Sequence, residues 1–193
     1  MVSVIYLANI GFVFVLLYFV YDLIKHRKQT SFIRKVIFAS FLVYLCGVFH
    51  YTIGGIYFPP QKEFAQLIVQ LIPFYFVSDW VKMYQQGGFD FFFWNAVKLT
   101  ALNVLLLFPL GVYLRIIWKE ITFKKALLLS FLTSLIIESL QLGLSALGFI
   151  GARSFDVDDL ILNTIGSMLG FSLCRYVLSL LPKKRSYHTS SRW

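Results

Sequence analysis

Apolar residues fall in long blocks along the chain, and polar or basic clusters separate the blocks. They cover residues 2–24, 36–52, 89–114, 126–147 and 158–180. A spanning helix needs about 20 predominantly apolar residues, so all five blocks are expected to cross a bilayer. A shorter apolar stretch, 64–77, is interrupted by Pro73. Runs of about 10–14 residues read as re-entrant or interfacial, and Gln66, Gln70, Asp79 and Lys82 give this one a wet side. Gln85, Gln86, Gly87 and Gly88 then read as a turn. The expected fold is an all-α integral membrane bundle of about five transmembrane helices plus one re-entrant or interfacial segment.

Composition agrees. The 193 residues are 59% hydrophobic and 14% charged, with a mean hydropathy of +0.75. Soluble domains are about 45–50% apolar and about 25% charged. The bilayer is therefore the first expected partner. The net charge of +9 gathers between blocks. Lys25, Arg27, Lys28, Arg34 and Lys35 follow the first; Arg115, Lys119, Lys124 and Lys125 follow the third; Lys183, Lys184 and Arg185 follow the last. Basic loops stay cytoplasmic, which predicts an outside N-terminus and an inside C-terminus. No basic face survives once the spans are drawn, so nucleic acid is not an expected partner. The first block lacks the basic flank and cleavage site of a secretory signal. Asp22 and Arg175 fall near cytoplasmic ends, where snorkelling makes a charge cheap. One membrane domain, 1–193, is expected: a first span and basic loop at 1–35, a core bundle at 36–180 and a basic cytoplasmic tail at 181–193. Aromatic residues make up 19% of the chain and read as packing plus interfacial belts. Cys46 and Cys174 lie in apolar runs, and His26, His50 and His188 are scattered. Neither a metal nor another cofactor is expected.

The candidate chemistry lies in the last two blocks and the loop between them. Ser134, Glu138, Gln141 and Ser145 step by four, three and four, which places them on one helical face. Asp159, Asn163, Gly166 and Gly170 repeat the pattern on the next helix. Gly166 and Gly170 allow another backbone to approach closely. Joined by an outer loop carrying Arg153 and Asp156, the two faces are expected to meet in the outer half of the bilayer. Asn95 and Lys98 are expected to join from the third span. Ionisable groups at this depth mark sites by default. Glu138 and Asp159 are the candidates for acid–base work, and Arg153 for clamping an anion. No activated nucleophile is evident. Asp158 points to another side of its helix and is expected to be a solvated cap. The competing, structural reading pairs Glu138 with Arg153, bonds Gln141 to Asn163 and has Asp156 cap the last helix.

At these residues the sequence resembles the VanZ-like family of bacterial membrane proteins. The pattern is Glu138-x-x-Gln141, then Arg153, Asp156, Asp158 and Asp159, then Asn163, Gly166 and Gly170. Gln70-Leu71-Ile72-Pro73-Phe74 is similar to the family's Asn-Leu-Ile-Pro-Phe element, with Gln at its first position, and Asn103 followed by Pro109 and Gly111 to its Asn…Pro-x-Gly element. The resemblance covers 69–180. It implies a protein of the bacterial cytoplasmic membrane with a role in resistance to teicoplanin and related lipoglycopeptides. Combined with the residues, it predicts an outward-facing site of Glu138, Gln141, Arg153, Asp156, Asp159 and Asn163 that engages an amphiphile, either the antibiotic or a polyprenyl-linked envelope lipid. A lipid-modifying enzyme and a lipid transporter are the alternatives.

Overall fold

A computed structural model describes residues 3–25, 31–65 and 67–181, without the side chain of Phe64. Among the described residues, five helices are long and apolar enough to cross a membrane: α1 (Leu7–Lys25), α2 (Phe32–Ile53), α4 (Phe91–Ile117), α5 (Phe123–Ala146) and α6 (Val157–Leu180). α4, at 27 residues, is about 40 Å long by its rise of ~1.5 Å per residue, more than the ~30 Å hydrocarbon core. Residue 66 and the basic residues Arg27, Lys28, Lys183, Lys184 and Arg185 lie outside the described residues.

The boundaries move where a local interaction admits charge into a helix. α2 begins before Arg34 and Lys35, and Lys35 Nζ lies 3.2 Å from Asp22 Oδ2 of α1. Asp22 is therefore an ion-pair partner as well as a charge near a span end. α5 includes Lys124 and Lys125 because the Thr122 hydroxyl accepts the Lys125 N–H at 3.3 Å and caps the first turn. Cys46 and Cys174 are free thiols, each half-buried.

The expected interfacial segment takes a definite shape. A short strand, β3 (Ile68–Gln70), leads through the Pro73 turn into α3 (Tyr75–Gly87). Its 13 residues are too few to span. Pro73 ends the extended part, and the helix starts two residues later. Gly88, at φ +66°, closes α3 where the sequence predicts a turn.

Two small strand pairs tie one end of the bundle. β1 (Ser3–Ile5) runs antiparallel to β2 (Ile56–Phe58). β3 runs parallel to β4 (Ser154–Asp156), opposing Gln70 to Asp156. Tyr57 N and Gln61 N also donate to Phe149 O and Gly148 O at 2.7 and 2.9 Å. Gly148, at φ +75°, packs directly on the backbone of Gln61, an approach that leaves no room for a Cβ.

α6 is the most buried of the long helices and α1 the least. α6 lies between α4 and α5. Its glycine face receives α4: a Cβ on Gly166 would overlap Val104 O, and one on Gly170 would overlap Phe108 O. Gly111 of α4 reciprocates against Ser167 O. Without a hydrophobic force between helices in lipid, such close backbone packing drives association. Beside Pro109, which lacks an N–H, Tyr44 of α2 donates its hydroxyl to Leu106 O at 2.8 Å, one way that neighbours support a proline-bearing span. Ser130 and Ser167 join α5 to α6 at 2.7 Å in a fully buried contact.

Candidate functional site

The first turn of α6 organises the site. Asp156 is its N-cap, accepting the Asp158 N–H at 2.8 Å. Asp158 and Asp159 follow in the first turn, where the helix dipole favours negative charge. Gln70 Nε2 donates to Asp156 Oδ1 at 3.2 Å, so the strand pairing and the cap are one assembly. Burial pushes the Asp156 carboxyl above its usual range; the Asp158 N–H pulls against this, and the charges of Asp158 and Asp79 add to it.

Asp158 is the main correction. Expected as a solvated cap, it is 3% exposed. Its carboxylate accepts the N–H of Phe74 at 2.5 Å and of Phe76 at 2.9 Å. Those amides open α3, so Asp158 caps a second helix from outside it. Phe74 sits at φ +62°, a left-handed conformation that costs a bulky residue about 1–3 kcal/mol. The two bonds to Asp158 hold it there. The Ile-Pro-Phe element and the acidic element are therefore two halves of one contact.

The serine, glutamate and glutamine face of α5 is real, but its partners differ from those expected. Ser134, Glu138 and Ser145 are all at most 2% exposed. Glu138 does not pair with Arg153; its Oε2 accepts the Asp156 N–H at 3.2 Å. The Arg153 N–H goes to Ser145 Oγ at 2.9 Å, and the guanidinium side is exposed. Gln141 does not meet Asn163. It donates to Thr52 O of α2 at 2.9 Å, while Asn163 donates to Ser134 Oγ at 3.1 Å. Asp159 accepts from Asn103 Nδ2 of α4.

These elements enclose a cavity of about 750 Å³, within the ~300–1,000 Å³ range of ligand pockets. Glu138, Gln141, Arg153, Asp156, Asp159 and Asn163 all line it. Asn95 and Lys98 do not line it; both are exposed on α4. Lys98 falls on the opposite side of that helix from Ala96, Thr100 and Asn103, which do line it. The sequence reading missed Thr52, Tyr51, Tyr75, Phe76 and Trp80, and it placed Asn103 in a motif without giving it a role. One wall is acidic and amide-bearing, one is aromatic from α3, and one is the leucine side of α4. Lys82 of α3 donates to the Tyr75 hydroxyl at 2.8 Å and lies 3.6 Å from Asp79.

Residues 32–180 match the VanZ/LLP1 family, which is more than half of the chain and every element around the cavity. The chain belongs to the VanZ/LLP1 family. The VanZ/LLP1 match extends back to α2, beyond the motifs read from the sequence, and Thr52 of that helix joins the site. VanZ-like membrane proteins are linked to glycopeptide resistance, and a multi-pass protein in a lipid bilayer is what the five apolar helices describe. No curated protein and no solved structure matches the chain.

Proposed function

We propose that this VanZ-like protein contributes to resistance to teicoplanin-type lipoglycopeptides by engaging an amphiphile in the cavity. The occupant is the antibiotic or a polyprenyl-linked envelope lipid. The observation that carries the reading is the cavity's mixed lining: buried carboxylates and amides on one wall, aromatic and leucine side chains on the others. A pocket of that kind fixes a polar head by a few polar groups and leaves the tail to apolar surface. Glu138, Asp159 and Asn163 form its inner polar wall; Gln141, Arg153 and Asp156 complete the polar rim. The protein sits in the bacterial cytoplasmic membrane with its N-terminus outside, the orientation that keeps the basic segment 115–125, at the end of α4 away from the cavity, on the cytoplasmic side. The cavity then faces the external leaflet, where a lipoglycopeptide meets the membrane.

Teicoplanin susceptibility in a sensitive Gram-positive host, compared between wild type and Glu138→Gln at matched membrane levels, tests this. The wild type is expected to protect and Glu138→Gln to lose protection. A hydrogen bond to a charged group contributes about 1.5–3 kcal/mol, so the loss weakens binding by roughly 10- to 150-fold. Protection that survives the substitution removes Glu138 from the site. No protection from well-inserted wild type counts against the resistance role.

A further inference from the structure

The cavity's polar wall is built mainly from hydrogen-bond acceptors. Among the described residues, five carboxylates line it, from Asp79, Glu138, Asp156, Asp158 and Asp159, against the one guanidinium of Arg153. Asp158 is occupied by its two backbone bonds, while Asp156 accepts both Gln70 and its own cap through Oδ1 and keeps Oδ2 open. Glu138 uses Oε2 and Asp159 uses Oδ1, which leaves Glu138 Oε1 and Asp159 Oδ2 for an occupant. Asn163 adds a further acceptor to these carboxylates. Asn163 is 1% exposed and lines the cavity; its Nδ2 is bonded to Ser134, and its Oδ1 is buried with no partner. A buried acceptor left without a donor is unfavourable, and a ligand that supplies the donor removes the penalty.

We infer that the cavity holds an amphiphile whose head is a protonated amine, donating to Asn163, Glu138 and Asp159. The inference rests on the reading that an amphiphile occupies this cavity, and adds the chemistry of its head. An ammonium has three donors and no acceptor, which matches open acceptors on three residues that line the same cavity. A phosphate head is its opposite: all acceptor, negatively charged, and set among carboxylates. The aromatic wall suits the same cation. Phe76 and Trp80 stack edge to face at 5.1 Å between ring centroids, and the ring faces of Tyr, Phe and Trp attract ammonium groups. Lys82 Nζ already sits 4.6 Å from the Tyr75 ring centroid. Trp80 Nε1, also buried without a partner, takes a hydroxyl or carbonyl oxygen next to the amine. Arg153, exposed on the rim, tolerates an anionic group farther from the head. The tail runs along Leu99 and Leu105, which are 55% and 58% exposed on the bilayer side of α4.

The test uses photoreactive probes with one tail and two heads: a diazirine-bearing hexadecylamine and its hexadecyl phosphate counterpart. The full-length protein is reconstituted in phosphatidylcholine nanodiscs, and the cross-links are mapped by mass spectrometry. The amine is expected to label Tyr75, Phe76 or the Leu99–Leu106 stretch, and labelling should fall at least tenfold in both Glu138→Gln and Asn163→Leu. Size-exclusion and circular-dichroism profiles identify folded variants, and Glu138→Gln, nearly isosteric, keeps the test usable if Asn163→Leu does not fold. Competition by phosphatidylethanolamine assigns the amine to a membrane lipid, and competition by teicoplanin assigns it to the antibiotic. Equal or stronger cavity labelling by the phosphate overturns the amine head while leaving an amphiphile in the cavity. No cavity labelling by either probe in folded wild type overturns both.

Discussion

Gly166→Leu is expected to leave little folded protein. α4 and α6 meet backbone to backbone along a row of three glycines, with Gly166 against Val104 O, Gly170 against Phe108 O and Gly111 against Ser167 O. Even one carbon at Gly166 overlaps a carbonyl that belongs to a regular helix and cannot move alone. The helices must separate along their whole shared length. That separation also pulls Asn103 from Asp159, because that bond joins the same two helices. Overpacking a close-packed interface costs about 1–3 kcal/mol and occasionally more; three carbons beyond the first put this substitution at the upper end. Gly143→Leu is the control. Nothing lies within 4 Å of a Cβ there, and surface changes usually stay within about ±0.5 kcal/mol. Thermal unfolding in mild detergent, followed by size exclusion, compares the two. Equal midpoints for both variants would mean that α4 does not approach α6 closely.

Asp158→Ala is expected to release α3 without unfolding the bundle. The carboxylate is the acceptor for Phe74 N and Phe76 N, and bonds to a charged group are each worth about 1.5–3 kcal/mol. Phe74 in addition loses what holds it at φ +62° and relaxes to an extended conformation. α3 retains its packing on α4, which is too small an interface to fix its angle. Backbone amides from Phe74 to Trp80 should exchange with deuterium at least tenfold faster than in wild type. Amides in α5 should be unchanged. Asp158→Asn keeps one acceptor oxygen and should fall between. Uniform acceleration across every helix would make Asp158 a general stability residue instead of the anchor of α3.

How much of this was readable depended on how far apart the partners lie in the chain. The five spans are legible from hydropathy alone, since each is a local run. The α5 face is legible too, because Ser134, Glu138, Gln141 and Ser145 share one helix and one period. What those residues bond to is not local. Gln141 reaches Thr52 across 89 positions and Asn103 reaches Asp159 across 56. Helical arithmetic correctly set Asp158 off the Asp159–Asn163 face. It could not show that backbone amides 82 and 84 positions earlier lie on that other side. The only pointer was two motifs, one ending at Phe74 and one at Asp159, with no physical link between them in the sequence. Gly166 and Gly170 lie on the face expected to meet α5; they receive α4 instead, which brings its own Gly111. Lys98 misled because a cation near carboxylates invites pairing, whereas the structure leaves it exposed on α4, outside the cavity lining.

The bond from Phe74 to Asp158 also sets an order of events during synthesis. The amides of the Pro73 turn leave the ribosome long before their acceptor, 84 positions downstream. At ~5–20 residues per second the wait is roughly 4–17 s. Through that interval α1 and α2 can insert and pair, since their contact is between neighbours. β3 must wait for its partner strand β4, and the first turn of α3 for Asp158, until the start of α6 has been made. The cavity is thus among the last parts of the protein to form. A nascent chain halted before α6 carries most of the spans but lacks Asp158, Asp159 and Asn163, and with them one wall of the cavity.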